Sequence, residues 1–255
     1  MEAILEARGL CKNFGAAKEE QISVLRDVDL RLEKGEFAAI MGQSGSGKST
    51  LLFNISGMDR MSSGEVIFDG EDISGLTDLE MSKLRLHKMG FIFQHSHLLK
   101  NMSIRDNVLL PAYKAGIMTR VEAIRQTDEL MKKLGIDKVG SHDITKVSGG
   151  QLQRAAIGRA LINRPGILFC DEPTGALNSG ASLEVMNILN TINQEGTTIL
   201  LVTHDIKVAS RADRVIYLAD GRIETELNLG KYKESLNDSR KREEHLLDWL
   251  NKRGF

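Results

Sequence analysis

The chain has 255 residues, which is enough for one large domain or for one domain with an insertion. Hydrophobic residues make up 41% of it and charged residues 27%, which is typical of a globular rather than a disordered protein. The formal net charge of −1 argues against a broad basic surface for nucleic acid.

The sequence also bears on the cellular compartment. Only Cys11 and Cys170 are present, far apart and among apolar residues, which predicts reduced thiols in an intracellular protein rather than a disulfide scaffold. No apolar run approaches the roughly 20 residues that span a bilayer, and the N-terminus lacks the pattern of a secretion signal. We therefore expect any role at a membrane to depend on a partner protein.

Patterns of apolar residues predict strands at the start of the chain, with one helix among them. A continuous apolar run at 37–41 favours a strand buried on both faces. The predicted elements are strands over 4–10, 24–32, 37–41 and 66–68, a helix over 48–55, and a turn at Asp69-Gly70.

From about Thr77 to Arg164 the pattern becomes helical, interrupted by one apolar strand over 90–93. Capping-box patterns begin helices at Thr77 and at Thr119. After Pro165 strands return at 167–170 and 198–202, with a helix over 181–194 between them and a closing hairpin over 214–225. This alternation predicts an α/β fold with a parallel sheet and crossover helices.

A phosphate-binding loop is the strongest chemical signal. The pattern G-x-x-x-x-G-K-[ST] occupies Gly42 to Ser49, directly after a predicted buried strand and directly before a predicted helix. Glycines let backbone N–H groups point inward at phosphate oxygens, and the helix N-terminus adds positive charge. We expect Lys48 to reach the β and γ phosphates and the Ser49 hydroxyl to bind Mg²⁺. The predicted nucleotide contacts are Gly42, Gln43, Ser44, Gly45, Ser46, Gly47, Lys48, Ser49 and Thr50.

Polar residues follow three further predicted strands, at the edge of the sheet where ligands collect in open α/β folds. Asp171 and Glu172 end an apolar strand, which favours Asp171 as a magnesium ligand and Glu172 as the general base for water. His204 is placed to contact the γ-phosphate, although a single histidine at a strand end is more often structural. Gln94 is placed to contact Mg²⁺ and the attacking water, and a polar loop cap is its alternative.

An aromatic residue is a candidate for the nucleotide base. Phe14 follows the first predicted strand in a short loop and is placed to stack on adenine, with a core phenylalanine as the alternative.

A second glycine-rich segment, Ser148-Gly149-Gly150-Gln151, opens a predicted helix over 152–162. An ordinary helix cap is the simpler reading. A cap does not require two glycines, however, and glycine is unfavourable near a helix interior. Close approach of backbone N–H groups to an anion is the alternative. One bound nucleotide leaves no obvious place for this second set of donors, so we expect two copies to close over shared ATP.

Taken in order, these motifs resemble the ATP-binding subunit of an ABC transporter over about residues 4–226. Within that superfamily, DEPTGAL and the stretch from Asp106 to Pro111 are most similar to the macrolide-exporter and lipoprotein-release group. The nearest resemblance is to Gram-positive transporters that confer resistance to bacitracin-type and lantibiotic peptides.

The resemblance implies a P-loop NTPase core with an antiparallel β subdomain and an inserted helical subdomain at about 95–164. It places the nucleotide-binding domain at 1–228. The tail at 229–255 is polar and charged but carries Leu246, Leu247 and Leu250 at helical spacing, which predicts a helix that docks on its own domain or contacts a partner subunit. The resemblance implies ATP and Mg²⁺ as cofactors, with Ser49, Gln94 and Asp171 as the metal ligands. Two subunits would sandwich two ATPs, with Ser148 to Gln151 contacting the ATP of the partner.

The resemblance also implies ATP hydrolysis coupled to a transmembrane permease, at the cytoplasmic face of the plasma membrane. The work would be peptide-antibiotic resistance or export. Asn178 stands where the family usually has Asp in a loop that crosses the dimer, so the charge of that contact is reduced.

Two alternatives remain open. A soluble ABC ATPase acting on nucleic acid or ribosomes is disfavoured by the near-neutral charge. A P-loop kinase or GTPase leaves Ser148 to Gln151 and His204 unexplained.

Overall fold

The computed structural model describes residues 2–15, 21–233 and 235–253. The described residues form two compact units, Met1–Thr77 with Asn193–Phe255, and Asp78–Ile192. In chain order the elements are β1 (Ala3–Phe14), β2 (Ile22–Glu33), β3 (Phe37–Met41), α1 (Lys48–Ile55), β4 (Ser63–Phe68), β5 (Glu71–Asp72), α2 (Asp78–Lys88), β6 (Met89–Phe93), α3 (Ile104–Ala115), α4 (Arg120–Lys133), α5 (Gly149–Leu161), β7 (Ile167–Asp171), α6 (Ser179–Gln194), β8 (Thr198–Val202), α7 (Ile206–Ala209), β9 (Arg214–Ala219), β10 (Arg222–Asn228) and α8 (Leu236–Asn251).

The first unit contains an antiparallel sheet in the order β2-β1-β4-β5. The turn between β4 and β5 is the predicted Asp69-Gly70 pair, and both residues have positive φ, 50° and 85°. That geometry is the tight hairpin turn that Asp-Gly favours. Strand β1 is longer than the sequence predicts and reaches Phe14, which is paired with Ile22 at the end of the hairpin where β1 ends and β2 begins.

The same unit contains four strands in the order β10-β9-β3-β8. Strand β3 runs parallel to both β8 and β9, and every residue of β3 and β8 is buried. The predicted ranges of β3, α1 and β8 are confirmed residue for residue. The two strands are recovered because a short unbroken apolar run favours a position in the middle of a parallel sheet, and the helix is recovered because it follows the phosphate-loop motif.

In the second unit β6 runs parallel to β7, and α3 packs between α4 and α5. The predicted capping box of α4 is confirmed, with Thr119 and Glu122 each satisfying a backbone N–H of the other. The predicted helical subdomain of about 95–164 lies within this unit, and its boundaries stay a prediction.

The tail forms helix α8, which docks on the first unit. Leu246 and Leu250 are fully buried, whereas Leu247 is 43% exposed. Trp249 packs edge-on against Tyr217 of β9 with 6.2 Å between ring centroids. The tail therefore contacts its own unit, as one of the two readings of its leucines predicted.

Cys11 and Cys170 are free thiols, as the sequence predicts. Cys170 is fully buried in β7 and Cys11 is half-buried in β1. Burial raises the pKa of the Cys170 thiol well above its usual range.

Candidate functional site

The phosphate-loop sequence forms a tight turn between β3 and α1. Gly47 takes a left-handed conformation, with φ of 101°, and is the N-cap residue directly before helix α1. The next residue, Lys48, is the first of the helix, so the backbone N–H groups of its first turn face the loop. This is the strand–loop–helix context that the sequence pattern requires.

Gly42 is required by its surroundings. A Cβ atom there would lie 2.1 Å from the carbonyl oxygen of Leu218 and 2.8 Å from the Oγ of Ser46. The first contact is with backbone, which cannot move aside as a flexible side chain can. The loop therefore leaves β3 through a gap that admits only glycine.

Lys48 lies across the loop that precedes it. Its Nζ donates to the carbonyl oxygens of Gly42, at 3.0 Å, and Gln43, at 2.7 Å. Gln43, Ser44 and Gly45 are exposed at the crest of the loop, and Ser46 is buried beneath it. The ammonium group is thus held at the loop, within reach of an anion that the loop would bind.

His204 is brought to the same end of the sheet. In the parallel pair of β3 and β8, Ile40 lies opposite Val202, and the Thr203 N–H donates to the Ile40 carbonyl at 3.1 Å. Gly42 and His204 each follow two residues after that matched pair. The structure therefore places His204 beside the start of the phosphate loop, with its side chain exposed.

The second unit brings Gln94 and the acidic pair together in the same manner. Phe93 of β6 lies opposite Asp171 of β7 in the parallel pair, so Gln94 and Glu172 leave adjacent strands at one level. A Cβ on Gly175 would lie 3.0 Å from the Nε2 of Gln94. The Gln94 side chain thus packs on the turn that follows β7.

Glu172 has an unusual backbone conformation. Its φ is 48°, the left-handed region that costs a residue with a side chain about 1–3 kcal/mol. The turn is held by the Gly175 N–H, which donates to the Glu172 carbonyl at 3.0 Å. Strain of this kind is common where a side chain must be aimed at a reaction centre.

The second glycine-rich segment is a regular helix start. The Ser148 Oγ accepts from the Gln151 N–H at 3.3 Å, and the Gln151 side chain accepts from the Ser148 N–H at 2.9 Å. This is a capping box, so the simpler reading of the segment is confirmed, and α5 begins at Gly149 rather than at 152. A Cβ on Gly150 would lie 3.1 Å from the Cβ of Ala181, so close packing on α6 also favours glycine here. Phosphate binding by this segment stays a prediction.

Two residues that the sequence reasoning missed tie α5 to the ends of the strands. Gln153 is 2% exposed, and its Nε2 donates to the carbonyl oxygens of Phe93, at 2.9 Å, and Pro173, at 2.8 Å. Arg159 donates to the carbonyl oxygens of Ser96 and His97, both at 2.7 Å. The signal for Gln153 was a polar residue on the buried stripe of the helix, three and four residues before Ala156 and Ile157.

Phe14 and Asn178 are both exposed. Phe14 is the last residue of β1 and is 47% exposed, so it is not a core residue, and the Lys12 ammonium lies 4.7 Å from its ring centroid. Asn178 caps α6, because its Oδ1 accepts from the Ala181 N–H at 2.9 Å. Both side chains are thus exposed for contact with a ligand or with a second copy of the chain.

The structure thus groups the predicted residues within each unit. The phosphate loop and His204 converge in the first unit, and Gln94, Asp171 and Glu172 converge in the second. The capped segment Ser148–Gln151 belongs to the second unit, with Asn178.

Comparison with known proteins identifies the family. The family described as "ABC transporter" matches residues 25–175. Macrolide export ATP-binding/permease protein MacB 2 of Aeromonas hydrophila is 44% identical over 223 residues, which are 88% of this chain and 34% of that protein. Pyoverdine export ATP-binding/permease protein PvdT of Pseudomonas fluorescens is 41% identical over 220 residues, 86% of this chain and 33% of that protein. The chain therefore spans about a third of the length of these curated relatives.

Solved structures extend the comparison to the whole fold. A dimeric post-hydrolysis structure of the ATP-binding cassette MJ0796, bound to ADP and Pi, is 38% identical with a TM-score of 0.82, covering 89% of this chain and all of that one. The structure of cbiO1 from Clostridium perfringens is 30% identical with a TM-score of 0.78, covering 89% of each chain. The predicted fold class, an α/β P-loop core with an antiparallel subdomain and helices, is confirmed.

Proposed function

Because this chain belongs to the ABC transporter family and has the fold of its ATPase cassettes, we propose that two copies bind two ATPs between them and hydrolyse them to drive a membrane permease. The observation that carries the proposal is the pairing of a phosphate loop built for backbone contacts with His204 at the next strand end. The similarity to a dimeric cassette holding ADP and Pi, over its entire length, supports both the dimer and the hydrolysis.

The first unit binds the phosphates. Backbone N–H groups of residues 42–50 and the Lys48 ammonium surround the β and γ phosphates, and His204 contacts the γ-phosphate. Phe14, exposed at the hairpin end, stacks on adenine. Backbone donors fixed by the Gly47 turn and by the first turn of α1 need little reorganisation to bind phosphates.

The second unit supplies the chemistry of hydrolysis. Glu172 is the general base that takes a proton from the attacking water, and Gln94 on the adjacent strand orients that water. The strained backbone at Glu172 supports this role, because such strain is common at functional sites.

Mg²⁺ is the cation that the residue types fit. Its proposed ligands are the hydroxyl of Ser49, the amide oxygen of Gln94 and the carboxylate of Asp171, all of them hard oxygen donors. When bound, the ion neutralises charge that develops on the phosphates.

The capped start of α5 completes the enclosure for the ATP of the partner. In the capping box, Ser148 and Gln151 fix the first turn of the helix with its N-terminus outward. The Gly149 and Gly150 N–H groups then meet the γ-phosphate held by the other copy, with Asn178 nearby in the dimer interface.

A transmembrane permease is the proposed membrane partner. In the described residues no helix is both long and apolar enough to cross a membrane. The relatives named ATP-binding/permease proteins are about two and a half times as long as this chain. We propose that the cassette binds peripherally at the cytoplasmic face of the plasma membrane, with Gln94 and the helices after it facing the permease.

The transported compound is the least constrained part of the proposal. Similar proteins carry names for macrolide export and pyoverdine export, and the sequence resembles transporters that confer peptide-antibiotic resistance. We propose an antimicrobial compound, removed from its target or exported. These similarities favour a transporter ATPase over a soluble ABC ATPase acting on nucleic acid or ribosomes.

The central test is ATP hydrolysis by the purified chain and by a Lys48→Ala variant. We expect loss of ATP binding or hydrolysis, because the ammonium at the loop is removed. Lys34→Ala is the matched control, since Lys34 pairs with Glu2 and Asp69 before the other end of β3. Wild-type turnover in Lys48→Ala would overturn the phosphate-loop assignment.

The partner is tested separately, by affinity purification of the tagged chain from detergent-solubilised membranes. Recovery of a multi-span membrane protein supports the transporter assignment. Recovery of nucleic acid or ribosomes in its place would support the soluble alternative.

A further inference from the structure

The C-terminal helix α8 carries a buried arginine that the proposed function does not use. Arg242 is 6% exposed, and its guanidinium donates to four main-chain carbonyl oxygens. The acceptors are Ser210, at 2.7 Å, Ala212, at 2.6 Å, Leu229, at 2.9 Å, and Gly230, at 3.1 Å. A leucine or methionine could fill such a position without desolvating a charge, so packing alone does not explain an arginine here.

These acceptors belong to two separate segments. Ser210 and Ala212 follow helix α7, and Leu229 and Gly230 follow strand β10. The planar fork of a guanidinium fixes several acceptors at once, which a lysine ammonium does less well. Arg242 therefore fixes the end of α7 relative to the strand β10.

Helix α7 begins directly after His204. Asp205 caps it, accepting from the Lys207 N–H at 2.7 Å, and the Asp205 N–H donates to the Thr203 Oγ1 at 3.0 Å. Ser210 closes the helix, and its N–H donates to the Ile206 carbonyl at 2.8 Å. His204 thus lies in a short segment fixed at one end by β3, through Thr203, and at the other by Arg242.

Helix α8 also contacts β9, which lies on the opposite side of β3 from β8. Trp249 packs on Tyr217, and Tyr217 lies opposite Met41, the last residue of β3 before the phosphate loop. Helix α8 therefore supports both segments that the proposed function brings to the γ-phosphate.

From this geometry we infer that Arg242 is a positioning residue, which holds the α7 segment so that His204 keeps its place beside the phosphate loop. The inference rests on the proposed function, because it takes His204 to contact the γ-phosphate. It gives the tail a role in hydrolysis within its own chain.

The test uses ATPase kinetics of the full-length variants Arg242→Met and Arg242→Lys. Small displacements of a catalytic contact have large effects on rate, so we expect kcat to fall by about tenfold in Arg242→Met, with KM for ATP within about twofold of wild type. Arg242→Lys should recover part of kcat, because it restores a charged donor. Arg240→Met is the matched control, since Arg240 lies exposed on the same helix and pairs with Glu244, and it should turn over as wild type does.

A double-mutant cycle with His204→Ala separates positioning from general destabilisation. If Arg242 acts through His204, adding Arg242→Met to His204→Ala should lower kcat by less than about twofold further. Multiplication of the two single effects, or wild-type kcat in Arg242→Met, would overturn the inference. If Arg242→Met does not fold, the same cycle is run with Arg242→Lys, and the same two outcomes decide. Absence of ATPase activity in wild type would instead count against the proposed function.

Discussion

The two glycine-rich segments of this protein use glycine for different reasons. In the phosphate loop a Cβ on Gly42 would lie 2.1 Å from backbone, and Gly47 has a left-handed conformation. At the start of α5 the glycines are helical, and a Cβ on Gly149 or Gly150 would approach side chains at 3.5 Å and 3.1 Å. The loop therefore depends on glycine for its own folding, whereas the helix start would form with other residues.

This difference shows which kind of site can be recognised in the structure of a single copy. The loop would not have its shape without glycine, so its geometry already indicates what it binds. The helix start is fully explained by capping and packing, so its proposed phosphate contact becomes visible only when a second copy is present. Substitutions at the two segments should therefore affect different measurements.

The largest expected effect is on hydrolysis, the step that must precede separation of the two copies. Glu172→Gln removes the proposed base but keeps the side-chain shape, so we expect turnover to fall by about 10²–10⁴-fold while ATP still binds. The variant should accumulate as an ATP-loaded dimer, which size-exclusion chromatography separates from the monomer. Glu129→Gln, at an exposed ion pair on α4, is the control. A persistent monomer at saturating ATP would contradict the shared-site mechanism.

Gly42→Ala tests the loop directly. The added methyl group meets the Leu218 carbonyl, and overpacking of this kind costs about 1–3 kcal/mol or more. We expect a lower melting temperature and loss of ATP binding, measured by thermal denaturation and by titration with a fluorescent ATP analogue. Gly75→Ala is the control, because a Cβ there meets nothing within 4 Å. Unchanged stability and affinity would show that the loop tolerates a different path.

Gly150→Ala tests the helix start and should give the opposite pattern. Alanine favours helix by about 1 kcal/mol over glycine, which offsets the close contact with Ala181, so the melting temperature should change little. ATP binding to the monomer should be unaffected, whereas ATP-dependent dimerisation should weaken about tenfold, or about 1.4 kcal/mol. Sedimentation at several ATP concentrations measures this. Wild-type dimerisation would mean that the segment is only a helix cap.

Asn178→Asp should have the smallest effect. Aspartate caps a helix as well as asparagine does, and its charge is favourable at a helix N-terminus, so α6 should stay intact. We expect nearly unchanged ATP affinity with basal ATPase altered by about two- to fivefold, measured by steady-state kinetics. A large loss of ATP binding would show that this loop contributes to the phosphate site itself.

The parts of the fold that the sequence predicted well are those set by local pattern. The buried strands at 37–41 and 198–202 and the helix at 48–55 each follow from one unbroken apolar run or one loop motif. Phe14 was expected in a loop, but β1 continues to it because Ile22 pairs opposite it across the hairpin. That pairing depends on the partner strand, which the local pattern at Phe14 does not contain.

The contacts that the sequence did not reveal join distant parts of the chain. Gln153 reaches the carbonyl of Phe93, and Arg242 reaches that of Ser210, 60 and 32 residues away. A buried polar residue indicates that a partner exists, but many backbone carbonyls are equally able to accept from it. The geometry of the fold alone selects which ones do.

The unequal burial of the two thiols has a practical consequence. Cys170 lies fully buried directly before the acidic pair, and its raised pKa keeps it protonated and unreactive at neutral pH. Cys11, half-buried in β1, is then the thiol that a maleimide dye reaches first. A single fluorophore could thus be attached near the Phe14 end of the hairpin without mutating the native sequence, giving an optical reporter of nucleotide arrival.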